Sequence, residues 1–403
     1  MNRFVRWPSA LMALRYPNFR KYFLGQALSI LGSWIQRVAL TWLVYRLTGS
    51  ASLLGLVAFA ALAPQLVIGP WAGAWIDQRD KRRTLITVEL LLTAHAALLA
   101  GLTLLGWATP TVIVLMALSQ GLLSSFEGPL RLSLISSFLT EEQALPSGLA
   151  LNAMLANGAR FIGPPVAGLL LHWTSESTCF LLNAASCLPL AWALTQVDTP
   201  VIHAARGRTR DAFVAGLRFA RQTPRVLQPL LLLGALNLTG SSYAVLLPIV
   251  ARDRYHGGAH LLGMLWGAAG FGALAGTIVL AMHQGVQAIS RAVRRFALVS
   301  ALALLACGLL RSPLLLYASL VALGFGVALC NAGINILLQE ASPPEFKGRI
   351  IALFYAIRFG LDAVGSLVAG LVAASLPVSS TFVAEGLLLC CSALALHHLR
   401  SRP

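Results

Sequence analysis

Apolar stretches near twenty residues long recur along the chain with few or no charged positions, as in Ser52 to Trp75, Leu85 to Trp107 and Leu230 to Val250. A helix needs about 20 such residues to cross a hydrocarbon layer of roughly 30 Å. Inside lipid only helices and closed barrels satisfy their backbone groups, and these runs are far too long and continuous for barrel strands. The pattern predicts helices at about 19–46, 51–75, 84–106, 110–138, 147–172, 177–196, 226–251, 259–282, 292–310, 313–338, 347–375 and 379–397. The fold class expected is an all-α membrane protein with twelve transmembrane helices in two pseudo-symmetric six-helix bundles.

Between the sixth and seventh apolar runs lies the longest polar interval, Gln196 to Pro224. It divides the chain into an N-terminal bundle, 1–197, a cytoplasmic linker, 198–225, and a C-terminal bundle, 226–403. Within the linker, Phe213, Leu217 and Ala220 recur at helical spacing beside Arg218 and Arg221, which predicts an amphipathic helix lying on the inner leaflet.

Composition agrees: of 403 residues, 57% are hydrophobic and 11% charged, and the mean hydropathy is +0.76. The net charge of +16 raises the question of nucleic acid, and its distribution answers it. With a cytoplasmic N-terminus, about 22 basic residues fall on the inside and about 4, Arg46, Arg252, Arg254 and Arg311, on the outside, which is the positive-inside asymmetry. Topology and anionic lipid account for the charge, and no nucleic-acid partner is expected. The first fifteen residues lack an apolar stretch ending in a small-residue cleavage site, so the first helix is expected to be retained. All six cysteines fall within or at the ends of apolar helices, with neither metal-ligand spacing nor a disulfide framework.

The two halves resemble each other. Gly158-Ala159-Arg160-Phe161-Ile162-Gly163 followed by Val166-Ala167-Gly168 returns as Gly360-Leu361-Asp362-Ala363-Val364-Gly365 followed by Val368-Ala369-Gly370, at a constant offset of 202 residues. Comparable turns precede the two segments, Thr140-Glu141-Glu142 and Pro344-Glu345-Phe346. Internal repeats of this kind are how many secondary transporters are built.

Between the second and third helices stands Gly73-Ala74-Trp75-Ile76-Asp77-Gln78-Arg79-Asp80-Lys81-Arg82-Arg83. This resembles the loop signature of the major facilitator superfamily, with Gln78 where a basic residue is usual and Asp80 where a glycine is usual. The resemblance implies a cytoplasmic gate of Gly73, Asp77, Arg79, Lys81, Arg82 and Arg83, with Asp77 latching onto the start of the eleventh helix near Lys347 and Arg349, where an anion is favoured. Gly163-Pro164-Pro165-Val166-Ala167-Gly168 is similar to the fifth-helix signature of exporters in that superfamily. More narrowly, Gly32 to Leu40 with Thr48-Gly49-Ser50, Pro129-Leu130-Arg131, Asn152, Arg160, Gln339-Glu340 and Gly348-Arg349-Ile350 resemble the enterobactin-exporter and macrolide-efflux branch, the transmembrane secretion effectors. That branch implies export of siderophores or drugs with protons as counter-ion. Ser33 stands where many relatives carry aspartate, and Ala117 where the fourth-helix pattern has arginine before Gln120-Gly121.

Ionisable groups at membrane depth are costly and mark pathways or partners. Arg37, Glu127, Arg131, Arg160, Arg358, Asp362 and Glu385 are such groups. Glu127 and Arg131 are four apart on one helical face, an ion-pair spacing that Arg358 and Asp362 repeat with signs reversed. Arg160 and Asp362 occupy equivalent repeat positions and are expected to pair across the pseudo-twofold axis. Asp362 and Glu127 are the proton-coupling candidates, with Arg131, Arg160 and Arg358 as charge partners; His95 is a weaker choice. Placement of the cavity helices, as the superfamily resemblance implies it, makes Gln26, Gln36, Arg37, Gln120, Asn237, Tyr243, Asn331 and Asn335 the substrate-cavity candidates, with Arg37 and Arg160 suited to an anionic ligand.

No H-E-x-x-H, no G-x-S-x-G elbow, no glycine-rich phosphate loop and no filter repeat is found, so neither an enzyme, an ATP-driven pump nor a channel is expected. No cofactor or metal is called for. The reading is a monomeric, proton-driven exporter of a small organic molecule in a bacterial inner membrane, both termini cytoplasmic. A siderophore leads as substrate, and a multidrug spectrum or a lysophospholipid-type lipid is the alternative.

Overall fold

A computed structural model of the chain describes residues 9–76, 78–139, 141, 143–197, 209–283 and 285–399. Asp77, Thr140, Glu142 and the linker stretch 198–208 lie outside the described residues. Among the described residues, twelve spans are long and apolar enough to cross a membrane. Six form the first half: α1 (Pro17–Thr48), α2 (Ala51–Ile76), α3 (Lys81–Leu104), α4 (Pro110–Phe138), α5 (Leu145–Trp173) and α6 (Glu176–Thr195). After the short α7 (Thr209–Gln222), the second half comprises α8 (Pro224–Gly240), α9 (Tyr243–Ile249), α10 (Ala259–Ala281), α11 (Val286–Leu309), α12 (Pro313–Ala341), α13 (Pro344–Ser375) and α14 (Val378–Leu399). An even number of crossings leaves the start of α1 and the end of α14 on one face, called here the termini face; the opposite one is the loop face.

The helix ends follow local chemistry. Proline occupies the first turn of α1, α4, α5, α8, α12 and α13, where its missing N–H is no loss. Gly49 closes α1 in the left-handed region at φ 59°. The Asp80 carboxylate caps α3 by accepting from the Arg83 backbone N–H at 3.1 Å, which explains an acid where the resembled signature has glycine.

One expectation is corrected. The seventh apolar run is not a single helix over 226–251 but α8 and α9 separated at Ser241–Ser242 and continued by a π-helical turn, Val250–Arg254. Gly240 ends α8, and the Ser242 hydroxyl takes the Thr239 carbonyl at 2.6 Å, so hydroxyls replace the lost helical bonds.

Within each half, helices pack as a bundle; across the halves, α2 lies along α13 and α5 along α10. These two seams are zipped by glycines that the sequence repeat relates. A Cβ on Gly370 would come within 2.7 Å of the Gly55 Cα, and one on Gly263 within 2.8 Å of the Gly168 Cα. Such backbone approach is what small residues permit in lipid. The repeat also explains Gly163 and Gly365: the first lies against Trp34 of α1, the second against the Leu238 backbone of α8, the same position in each half.

Candidate functional site

The glycine seams and the contacts at the ends of α1 and α9 seal the loop face. There the Tyr45 hydroxyl donates to the Asp253 carboxylate, and Arg252 donates to the Tyr45 carbonyl at 2.9 Å. Below this seal, at the middle of the bundle, the charged residues of both halves converge.

Arg37 of α1 lies over the Trp34 ring at 4.8 Å, and Arg160 of α5 over the same ring at 5.7 Å. Trp34 meets Trp266 of α10 edge-on at 5.9 Å, and Trp266 in turn lies 6.0 Å from Tyr243 of α9. Arg160 donates to the Tyr243 hydroxyl at 2.6 Å, a bond that crosses the halves. Asp362 of α13 stands where the charges of Arg358, Arg37 and Arg160 all act on it, with Ser366 one turn on. Three guanidiniums therefore lie within electrostatic reach of one carboxylate, a formal excess of two positive charges. Two polar donors in this region, the Arg160 Nε and the Trp266 indole N–H, are buried without a partner. Arg37 keeps an accessible side chain half way along α1, within electrostatic reach of Asp362 and Arg160. The Arg160 and Asp362 side chains expected to pair are in one cluster but are not in direct contact; Arg160 is held by Tyr243 instead, and Arg358 turns over the Phe359 ring at 5.5 Å.

A second charged centre lies within the first half. Arg131 of α4 makes the expected pair with Glu127 at 2.7 Å, and it also reaches Glu89 of α3 at 2.9 Å and the Ser29 hydroxyl at 2.7 Å. Glu89 is fully buried. It escapes sequence reading because it lies two turns from the basic run Lys81 to Arg83, where an acid looks like the end of a span. The signal was the odd count: two intramembrane acids for one arginine on facing helices.

The amide candidates are placed as internal pairs. Gln26 donates to Asn152 at 2.7 Å, Gln36 accepts from Asn183 at 2.8 Å and donates to Gln120 at 3.5 Å, and Asn237 donates to Asn331 at 3.0 Å. Each of these pairs stays within one half, and Gln26, Gln36, Asn237 and Asn331 are buried. Asn335 accepts from Gln339 near the termini face. His95 is packed, its Nε2 on the Met116 carbonyl at 2.9 Å.

At the gate, Asp77 is outside the described residues and Gly73 lies within α2. Arg79 covers the Trp75 ring at 5.1 Å, Arg83 pairs with Asp80 at 3.3 Å, and Lys81 opens α3. Arg82 donates to the Leu194 and Thr195 carbonyls at 2.7 and 3.0 Å, capping α6. Arg349 of α13 lies over Phe346, which stacks on Phe219 of α7 at 4.5 Å, while Gly216 of α7 fits against the Arg349 side chain. The linker helix is thus docked on the first turn of α13.

Comparison with known proteins identifies the family and the fold. Residues 8–403 match the transmembrane secretion effector family. A staphyloferrin A transporter of Staphylococcus aureus is 29% identical over 272 residues, 64% of this chain and 66% of that protein, just under two thirds of its length. Macrolide efflux protein A of Streptococcus pyogenes is 22% identical over 94% of this chain and 96% of its own. Among solved structures, a bacterial homologue of the human lysosomal transporter Spinster superposes with a TM-score of 0.73 at 14% identity, covering 96% of this chain and 97% of that one, which shows the fold. With a match over nearly the whole chain, twelve spans and this fold, the protein is a multi-pass membrane transporter that belongs to the transmembrane secretion effector family of the major facilitator superfamily.

Proposed function

We propose that the protein exports a small anionic organic molecule, a siderophore in the first instance, across the bacterial inner membrane by proton-coupled alternating access. The observation that carries this reading is the central cluster: three arginines acting on a single aspartate, two of them over the Trp34 ring that meets Trp266, at the level where the halves meet. Unpaired guanidinium charge in a low-dielectric site attracts carboxylate or catecholate oxygens, and the aromatic rings cover the ligand's flat faces. The likeness to a staphyloferrin A transporter supports the siderophore. Likeness to macrolide efflux protein A over almost the whole chain supports drug efflux as the second reading.

In this reading the termini face is cytoplasmic, and residues 1–197 rock against 226–403 with 198–225 as the connector. The protein acts as a monomer. Arg37, Arg160 and Tyr243 contact substrate, and Gln120 and Asn335 border the path. Asp362 and Glu127 carry protons, Arg358 and Arg131 being the charges they leave and regain. Asp77, Gly73, Arg79 and Arg349 close the cytoplasmic side. An anion on the arginines and the Asp362 carboxylate draw on the same positive field, which links substrate binding to the protonation of Asp362.

The test is export from a host lacking its own exporters, comparing siderophore in the medium and tolerance to macrolides with wild type, Arg37→Gln and Asp362→Asn. Siderophore secretion that both variants abolish supports the proposal. Unchanged secretion with altered macrolide tolerance moves the assignment to drug efflux.

A further inference from the structure

Glu385 of α14 is absent from the central cluster and from the Arg131 centre. Its Oε1 lies 2.6 Å from the Ser242 hydroxyl, at the break between α8 and α9, and that same hydroxyl lies 2.6 Å from the Thr239 carbonyl oxygen. Ser242 is fully buried. The second carboxyl oxygen, Oε2, is buried without a partner, as is the Thr381 hydroxyl one turn earlier on the same face of α14.

A proton count decides the state of this carboxyl. A serine hydroxyl has one hydrogen and the Thr239 carbonyl has none. Two short contacts from the Ser242 oxygen therefore need a second proton, because two oxygens without one between them repel at this distance. With Ser242 donating to Thr239, the only source is Glu385, whose carboxyl O–H then donates to the Ser242 oxygen. Neutrality also relieves Oε2, since a buried carboxylate oxygen with no donor is far costlier than a neutral one.

At the level of Glu385 the elements packed against α14 bring no counter-charge, since Arg225 of α8 and Arg291, Arg294 and Arg295 of α11 lie in the parts of those helices nearest the termini face. Ala297 to Leu309 of α11 has only the Cys307 thiol, and Val226 to Gly240 of α8 has no ionisable group. On α9, the Tyr243 hydroxyl is taken by Arg160. Arg358 and Asp362 of α13 belong to the central cluster. Of the π-helical turn's charges, Asp253 and Arg252 are engaged with Tyr45, and Arg254 with the Cys307 and Leu310 carbonyls. Among the described residues no cation pairs with Glu385.

We infer that Glu385 is a proton-binding site, occupied in this state, whose proton holds the α8–α9 break in shape. On deprotonation, the Ser242 hydrogen turns from the Thr239 carbonyl to the carboxylate, and that carbonyl at the end of α8 loses its bond to Ser242. Ser242 is followed directly by Tyr243, so the site is linked to the residue that Arg160 grips. The link to substrate rests on the transport reading above; the protonation itself does not.

Infrared spectra of the full-length protein in lipid separate the two, since they need no substrate. The expected result at neutral pH is a protonated-carboxyl C=O band that Glu385→Gln removes and Ser242→Ala moves to higher frequency by removing its hydrogen-bond partner. A spectrum that neither variant changes overturns the proton site. For the coupling, spin labels at Leu47 and Leu376, exposed ends of the two halves on the loop face, are expected to separate as pH rises in wild type and to stay put in Glu385→Gln. Equal pH response in both, or none in wild type, overturns the coupling.

Discussion

Arg160 of α5 and Tyr243 of α9 are joined at 2.6 Å across the two halves, directly beneath the sealed loop face. The bond belongs to this state alone if the halves rock apart there, so it weights the equilibrium between states. A hydrogen bond to a charged group contributes about 1.5–3 kcal/mol, and about 1.4 kcal/mol is tenfold in a population. Tyr243→Phe is therefore expected to raise the fraction open at the loop face roughly tenfold or more. Spin labels at Ser136 and Glu340, exposed ends of α4 and α12 on the termini face, should report a shorter distance; an unchanged distribution would sink the idea.

Arg131 is shared by Glu89 and Glu127, so the three side chains carry a formal net charge of minus one when all are ionised. Removing one acid leaves a neutral pair, whereas removing the arginine strands two. Breaking a buried pair costs about 3–5 kcal/mol. Arg131→Leu is expected to lose at least that much, seen as a collapse in folded yield and thermal midpoint in detergent. Glu127→Gln, whose acid is the more accessible of the two, should keep a midpoint near wild type. Equal losses in both would show that the centre is not a shared-charge triad.

The fold was legible because its cause is one-dimensional. A run of twenty apolar residues has few fates in lipid, and proline or glycine punctuates nearly every end. The repeat was legible for the same reason: Gly168 and Gly370 each need a bare backbone where a second helix crosses, and the sequence shows both at one spacing. What sequence left hidden depends on which side chains rotate toward one another. Arg160 and Asp362 are equivalent by repeat, yet Tyr243 reaches the guanidinium first. Gln36 and Asn237 interrupt apolar helices but turn into their own halves. The break at Ser241–Ser242 was hidden by the apolar residues on either side, since hydropathy does not distinguish a continuous helix from one whose hydroxyls repair a gap.

The glycine seam gives a sharp steric expectation. A Cβ on Gly263 would stand 2.4 Å from the Pro164 carbonyl, whereas one on Gly101 of α3 would meet nothing within 4 Å. Overpacking a tight contact costs about 1–3 kcal/mol. An alanine in an open helix position instead gains roughly 0.5–1 kcal/mol over glycine. Gly263→Ala should lower the thermal midpoint and open the loop face, and Gly101→Ala should hold or raise it. The same sign for both would mean that the seam is looser than the geometry indicates.

The clasp between Tyr45 and Asp253 provides the test of what holds the loop face shut. Tyr45 ends α1 and Asp253 sits in the π-helical turn that follows α9, so their bond joins the first half to the second. Arg252, beside Asp253, adds a bond to the Tyr45 carbonyl at 2.9 Å and lies over the Tyr45 ring at 5.6 Å. These contacts form only when the turn is in place, and the turn is the continuation of the helix that breaks at Ser242. Tyr45→Phe removes the hydroxyl and keeps the ring for Arg252; Asp253→Asn keeps the shape and removes the charge. If the two residues act through each other, each single variant opens the loop face by a similar amount and the double variant opens it no further. The coupling expected for groups in direct contact is about 0.5–3 kcal/mol. It is read from the open fraction given by labels at Leu47 and Leu376 in all four proteins. Strictly additive effects would mean that Arg252 and the glycine seams close this face and that the tyrosine and aspartate are bystanders to it.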